Sequence, residues 1–413
     1  MAIAAGIASD VEPQEIGFDP VRLERLEHHL QRYVERGLRV GCQIAIARGG
    51  RVGYVHSVGQ RDAVAGLPVE SDTIWRVYSM TKPLVSVAAM MLWEEGLLAL
   101  GAPVASYLPS FESPRVYRVG PARAPLTAPA SETMLVRHLL SHTSGLSYGF
   151  MYSNAVDEAL RLQGFDIGQP ENYTLAELCD RVAALPLVFE PGSEWNYSYS
   201  TDVVGRIVEI VSGQSLEDFL QSRILRPLGM VDTGYTVSNT DLGRVSALYS
   251  FDPESGRAVP KPELDAPLDG PRLLKGGGHG LVSTAADYLR FLQLLLRGVE
   301  LDGVRLLAPR TVALMTSNQL PDGHDIFTYA RPTLLSSTQR GVGFGLGFSV
   351  LLNPVAADTT ASPGTFGWGG AAGTEFWVDP AEELTVVFMT QVLFAADDLR
   401  AELRRLVYQA LVS

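Results

Sequence analysis

The hydrophobic positions change period along the chain, and the changes divide it. Between Pro20 and Arg36, Leu23, Leu26, Leu30 and Val34 recur at three or four residues, which predicts a helix with one buried stripe. Two short apolar runs, Cys42 to Ala47 and Arg51 to His56, flank Gly49-Gly50 and predict a β-hairpin. From Trp75 onward the polar positions thin out, and Val85 to Leu92 is apolar until Glu94 and Glu95. That stretch predicts a long helix. Ala102 to Thr133 loses its period and carries Pro103, Pro109, Pro114, Pro121, Pro125 and Pro129, so it is expected to be loop. A short helix is expected from Met134, running into a polar loop stopped by Gly145. Further helices are expected at Thr174 to Leu185, Thr201 to Ser212 and Ser215 to Ile224, the last with Ser215 and Asp218 at N-cap spacing.

After Gly276-Gly277-Gly278-His279-Gly280, the residues Tyr288, Phe291, Leu292 and Leu295 mark a helix over Ser283 to Arg297. The tail reads as strands at Phe344 to Leu352, Gly373 to Val378 and Leu384 to Val392, closed by a helix from Asp397 to Leu411. Strands at both ends with helices between them give an α+β chain. Its single sheet is built from the two termini, and the mainly helical middle is inserted. The expected units are 1–100 with 270–413, and 101–269. No βαβαβ alternation, fixed-period repeat or low-complexity tract is visible.

Composition narrows the function. With 413 residues, 46% hydrophobic and 19% charged, the chain can bury a large core. A net charge of −13 argues against nucleic acid and against an anionic membrane surface as partners. Cys42 and Cys179 each sit in apolar surroundings and read as buried free thiols, with no zinc pattern. Met1 to Glu15 lacks a basic start and a long apolar run, and no segment is long enough to span a bilayer, so a cytoplasmic location is expected. No cofactor signature is present.

The candidate chemistry lies where the long helix begins. Ser79 and Lys82 are three apart, on one face of a helix, so hydroxyl and amine can meet. The amide end of the helix places positive partial charge where an alkoxide forms. The chain holds three lysines, Lys82, Lys261 and Lys275, and otherwise uses arginine. Arginine cannot be deprotonated in a protein, whereas a desolvated lysine can act as a base. The competing reading is a lysine that snorkels from a helix start.

Four motifs follow one another: Ser79-Met80-Thr81-Lys82, His142-Thr143-Ser144-Gly145-Leu146, Pro191 to Ser198 with Tyr197, and Gly276-Gly277-Gly278 before a Ser-Thr-Ala-Ala-Asp helix. In this order they resemble the serine β-lactamase and D-Ala-D-Ala peptidase superfamily, in its class C-like branch and most closely the family VIII carboxylesterases. The resemblance runs from about Leu23 to Leu411. It implies an antiparallel sheet with flanking helices, an inserted helical domain, and an active site between the two. It implies Ser79 as acyl-accepting nucleophile, with Lys82 or Tyr197 as base. It also implies that the N–H groups of Ser79 and Ala371 form an oxyanion hole.

Where lactamases carry Lys-Thr-Gly, this chain has Trp368-Gly369-Gly370-Ala371, as the esterase branch does, and Tyr199 stands where lactamases often place Asn. By the same resemblance Trp368, Gly369, Gly370 and Tyr199 border the substrate. The implied substrate is a small, uncharged, short-chain carboxylic ester. The alternatives on the same fold are a β-lactamase, a D-amino peptidase or an acyltransferase; a non-catalytic binding module is a third class. The sequence does not fix the oligomeric state.

Two patterns compete. Gly145-Leu146-Ser147-Tyr148-Gly149 matches a Gly-x-Ser-x-Gly nucleophile elbow, but it follows an expected helix rather than a strand, which speaks for a loop. His138 and His142 are four apart without the intervening Glu of a metalloprotease and read as structural. His279 is placed to line the cleft.

Overall fold

The computed structural model describes residues 6–412 apart from 170, 265, 266, 298, 299, 334 and 396. At the N-terminus, helix α1 (Pro20–Glu35) is capped by the Asp19 carboxylate, which accepts from the Val21 N–H at 2.9 Å, with Pro20 at the first helical position. Its buried stripe is Leu23, Leu26, Leu30 and Tyr33, so Tyr33 takes the place expected for Val34. The hairpin forms as expected: β1 (Gly41–Arg48) and β2 (Arg51–Asp62) join through Gly49 and Gly50, both at positive φ, the two-residue turn that matches strand twist.

The main sheet has eight strands. After β1 and β2 come β3 (Leu67–Pro68), β4 (Val342–Phe344), β5 (Ser349–Leu351), β6 (Phe366–Gly369), β7 (Glu375–Asp379) and β8 (Leu384–Thr390). Their spatial order is β4-β5-β6-β7-β8-β1-β2-β3, with every pair antiparallel. The two ends of the chain thus meet in one sheet, where β1 pairs with β8. Alternation sorts the side chains by face. Ile44, Ile46, Trp377, Val386 and Phe388 join α1 and the closing helix in one core. Ala45, Ala47, Phe376, Val378, Val387 and Met389 join the larger core on the other face.

That larger core surrounds α2 (Thr81–Glu94), in which every residue from Thr81 to Leu92 is buried. A helix apolar all round belongs inside a protein. Around it lie α3 (Val136–Leu140), α4 (Ala155–Leu162), α5 (Leu175–Ala183), α6 (Ser200–Ser212), α7 (Leu216–Leu220) and α8 (Ala285–Arg297). Beyond them are α9 (Pro309–Met315), α10 (Ile326–Tyr329) and the closing helix α11 (Leu399–Tyr408). The Ser215 hydroxyl caps α7 as expected, accepting from the Asp218 N–H at 3.1 Å.

Three expectations are corrected. The proline-rich stretch contains a hairpin, Arg115–Val119 with Leu126–Pro129. The strand expected at Phe344 to Leu352 is two strands, β4 and β5, because Gly345-Leu346-Gly347 turns between them. A side chain at Gly345 would lie 2.0 Å from the Met315 carbonyl. The helix expected around Ser79 begins as a 3₁₀ turn, Tyr78–Met80, and becomes α-helical at Thr81. No helix among the described residues is long and apolar enough to cross a membrane.

Candidate active site

Ser79 sits in the 3₁₀ turn that feeds α2, after Tyr78 at φ 44°. A left-handed tyrosine is strained by about 1–2 kcal/mol. Lys82, buried in the first turn of α2, brings Nζ to 3.2 Å from Ser79 Oγ and donates to the Gly278 carbonyl at 2.7 Å. Its Nζ lies 4.6 Å from the ring centre of Tyr197 and 5.2 Å from that of Tyr148.

Tyr197 stands just before α6, whose N-cap residue is Tyr199. Its hydroxyl accepts from Trp368 Nε1 at 3.3 Å, and its ring meets Trp368 at 5.3 Å and His142 at 4.9 Å. Tyr197 and Trp368, 171 residues apart, therefore share a hydrogen bond. Tyr199 packs on Tyr148 at 4.3 Å between ring centres. The glycine loop 276–278 presses against the start of α6: a Cβ on Gly278 would lie 2.4 Å from Asp202 Oδ2 and 2.7 Å from the Tyr148 hydroxyl. The Gly278 N–H donates to Asp202 Oδ1 at 2.9 Å, and the carbonyl of the same residue receives Lys82.

A cavity of about 590 Å³ opens at Ser79. Ala371 and Tyr199 line it, with Tyr148, Phe150, Tyr173 and Leu274 among its apolar walls. Trp368 and Gly369 end strand β6, and Gly370 to Gly373 turn into β7, with the Gly373 N–H on the Gly370 carbonyl at 3.1 Å. A Cβ on Gly370 would lie 2.6 Å from the Val77 carbonyl, and one on Gly369 would lie 2.8 Å from the Thr374 carbonyl. At these positions glycine admits close approach of the protein's own backbone.

His279 lines the cavity and bonds through Nε2 to Glu171 Oε1 at 2.5 Å; Arg272 holds Oε2 at 3.2 Å. Burial opposes charge on His279, but the Glu171 carboxylate and then Asp202 outweigh it and raise the imidazole pKa. Burial likewise opposes charge on Glu171, and His279 with Arg272 outweigh it, holding the carboxyl at about 2. Asp202 is pushed up by burial, with His279 and Lys82 pulling it back.

The competing patterns have structural roles here. Ser147 is buried in a loop, donates to Asp157 Oδ1 at 2.5 Å and accepts from Asn196 at 2.9 Å. His142 is fully packed, and burial followed by the Lys82 charge keeps it neutral. Both cysteines are buried and unpaired, and burial raises the Cys42 thiol to about 12. Sequence reasoning passes over Tyr148, Asp202, Glu171 and Arg272. Tyr148 is hidden inside the discounted Gly-x-Ser-x-Gly pattern. The others carry no local signal, because their partners lie between 76 and 108 residues away.

An antiparallel sheet, a buried helix headed by Ser-x-x-Lys and a tyrosine brought against the lysine define a serine hydrolase of the β-lactamase-like class. The chain belongs to the beta-lactamase family, whose profile matches residues 26–410. It is similar to "Esterase EstB" of Burkholderia gladioli, 30% identical over 97% of this chain and 99% of that one. It is also similar to "Lovastatin esterase" of Penicillium rubens, 31% identical over 85% of this chain and 88% of that one. Among solved structures, "EstCE1, a hydrolase with promiscuous acyltransferase activity" superposes with a TM-score of 0.78 at 27% identity, covering 94% of this chain and 99% of that one.

Proposed function

We propose that the protein is a serine carboxylesterase that forms an acyl-enzyme on Ser79. The observation that carries this is Lys82 Nζ at 3.2 Å from Ser79 Oγ on the wall of the cavity. One of Lys82 and Tyr197 starts unprotonated: Ser79 Oγ attacks the ester carbonyl, and its proton passes to that group, either the Lys82 amine 3.2 Å away or the Tyr197 phenolate. The N–H groups of Ser79 and Ala371 take the developing oxyanion. The alcohol leaves with a proton from the same Lys82 and Tyr197 pair. Water then enters, loses a proton to the pair and releases the carboxylic acid. No step requires a cofactor. Trp368 and Tyr199 border the substrate, and Trp368 in place of a lysine favours an uncharged ester over a β-lactam carboxylate. Similarity to EstB and to the lovastatin esterase supports hydrolysis of esters.

Acyl transfer is the second reading, favoured by the likeness to EstCE1 with its promiscuous acyltransferase activity: an alcohol takes the place of water in the second half of the cycle. The cavity holds more than a short acyl chain, since pockets of about 300–1,000 Å³ suit drug-sized ligands. Two unpaired thiols suit a reducing compartment, and we place the enzyme in the cytoplasm.

The test is stopped-flow turnover of p-nitrophenyl butyrate. A burst is expected that Ser79→Ala removes and Ser147→Ala keeps. Loss with Ser147→Ala and retention with Ser79→Ala would assign the nucleophile to the loop instead. Added alcohols report transfer through the appearance of new esters.

A further inference from the structure

The back of the proposed oxyanion hole is occupied by an arginine that the mechanism above does not use. Arg400, on α11, sends Nη2 to the Gly370 carbonyl at 2.6 Å and to the Thr374 carbonyl at 3.2 Å. The Gly370 carbonyl and the Ala371 N–H belong to the same peptide unit. That unit is planar, and in its trans form the C=O and N–H point in opposite directions. A group that grips the carbonyl from behind therefore helps set the direction of the N–H in front, and Arg400 does so at shorter range than the Gly373 N–H, which reaches the same oxygen at 3.1 Å. A cationic donor also does more than hold it. Charge-assisted hydrogen bonds are the stronger kind, and a bond at one end of a peptide polarises the other.

The glycines of Trp368-Gly369-Gly370 fit this arrangement. A Cβ on Gly369 would lie 3.0 Å from both Cζ and Nη2 of Arg400, in the space the guanidinium uses. A Cβ on Gly370 would collide with the Val77 carbonyl, two residues before Ser79. One glycine admits the arginine behind the peptide; the other admits the nucleophile turn in front of it.

We propose that Arg400 is a positioning residue for the oxyanion hole: it orients and polarises the 370–371 peptide so that the Ala371 N–H is aimed before the reaction begins. The proposal rests on the reading of Ala371 as an oxyanion donor. A purely structural role, tying α11 to the sheet, is already filled by others. Arg404 ties α11 to Glu375 on β7 at 2.8 Å, and Arg39, just before β1, bonds Asp397, just before α11, at 2.7 Å.

The test compares Arg400→Gln, Arg400→Lys and Arg404→Gln with p-nitrophenyl butyrate and with phenylboronic acid, which forms a tetrahedral adduct on a reactive serine. Losing a whole oxyanion donor costs roughly 10²–10³ in kcat, so misaiming one is expected to cost about 10–100-fold in Arg400→Gln. KM should stay within about twofold, because the interaction matters only in the transition state. Phenylboronic acid should weaken by a similar factor, while a non-hydrolysable ether analogue of the ester binds as before. Arg400→Lys, which keeps the charge, should recover part of the loss. Arg404→Gln should lower the melting temperature and leave kcat in place.

A folded Arg400→Gln enzyme with native kcat would overturn the proposal, as would unchanged phenylboronic acid affinity. If Arg400→Gln does not fold, native kcat in Arg400→Lys together with an Arg404→Gln-like drop in melting temperature would also overturn it. A boronate adduct on any side chain other than Ser79 would instead defeat the underlying site assignment, whatever the arginine variants show.

Discussion

Ser79 and Ser147 carry the same hydroxyl, and their surroundings decide what each can do. Ser79 faces a cavity with an amine 3.2 Å away. Ser147 is buried and already donates to Asp157. Ser147→Ala leaves a buried carboxylate short of a donor, so it should cost about 1–3 kcal/mol of stability, measured by urea unfolding, with kcat retained in the folded fraction. The Glu171 and His279 pair gives a pH signature. His279 has a raised pKa in the fold, so its contribution is complete below the ordinary imidazole range and is lost as pH rises through the raised value. Glu171, held at about 2, stays charged throughout that window. The charged groups facing His279 are Glu171, Asp202 and Lys82. Glu171→Gln should therefore lower the melting temperature more at about pH 6 than at about pH 9, as read by calorimetry. The proposed set of Ser79, Lys82 and Tyr197 can be picked from the sequence because its motifs are local, and the fold brings Lys82 to Ser79 and to the Tyr197 ring. Asp202, Glu171 and Arg400 were not, because an acid or an arginine in a helix or loop acquires meaning only from what the fold sets against it.

At the scale of elements, the glycine loop and α6 act as one piece. Gly278 gives its N–H to Asp202 and its carbonyl to Lys82, so the lysine is aimed by a loop that is itself seated on the first turn of α6. Gly278→Ala places a methyl 2.4 Å from Asp202 Oδ2, so the loop must shift. The expected outcome is a kcat lower by about tenfold or more, given how steeply catalysis depends on sub-ångström placement. Steady-state kinetics on the folded variant measures it, and native kcat would show that the loop does not aim Lys82. Amphipathic helices such as α1 and α8 were readable from their period. The hairpin at Arg115–Val119 and Leu126–Pro129 was masked by the prolines around its turn. The break between β4 and β5 was missed because apolar residues continue across Gly345 and Gly347, whose need for close packing on α9 and α2 is tertiary.

At the scale of the whole molecule, the two ends of the chain depend on each other. Pairing of β1 with β8 joins the early and late strands into one sheet, and α1 and α11 share one core on its outer face. Deleting residues 397–413 removes Leu399, Leu403 and Val407 from that core and leaves an apolar face uncovered. The expected result is aggregation and loss of the cooperative melt, followed by circular dichroism. We further propose that 1–100 with 270–413 and the mainly helical 101–269 form two lobes with the cavity at their junction, and limited proteolysis near those boundaries tests it.

Whether Ser79 carries the acyl group is decided by mass spectrometry of the native enzyme quenched during turnover of a slow acyl donor, followed by peptide mapping. One added acyl group is expected, on the peptide carrying Ser79, and absent in Ser79→Ala. An acyl group mapped to Ser147 or to any other side chain contradicts the assignment.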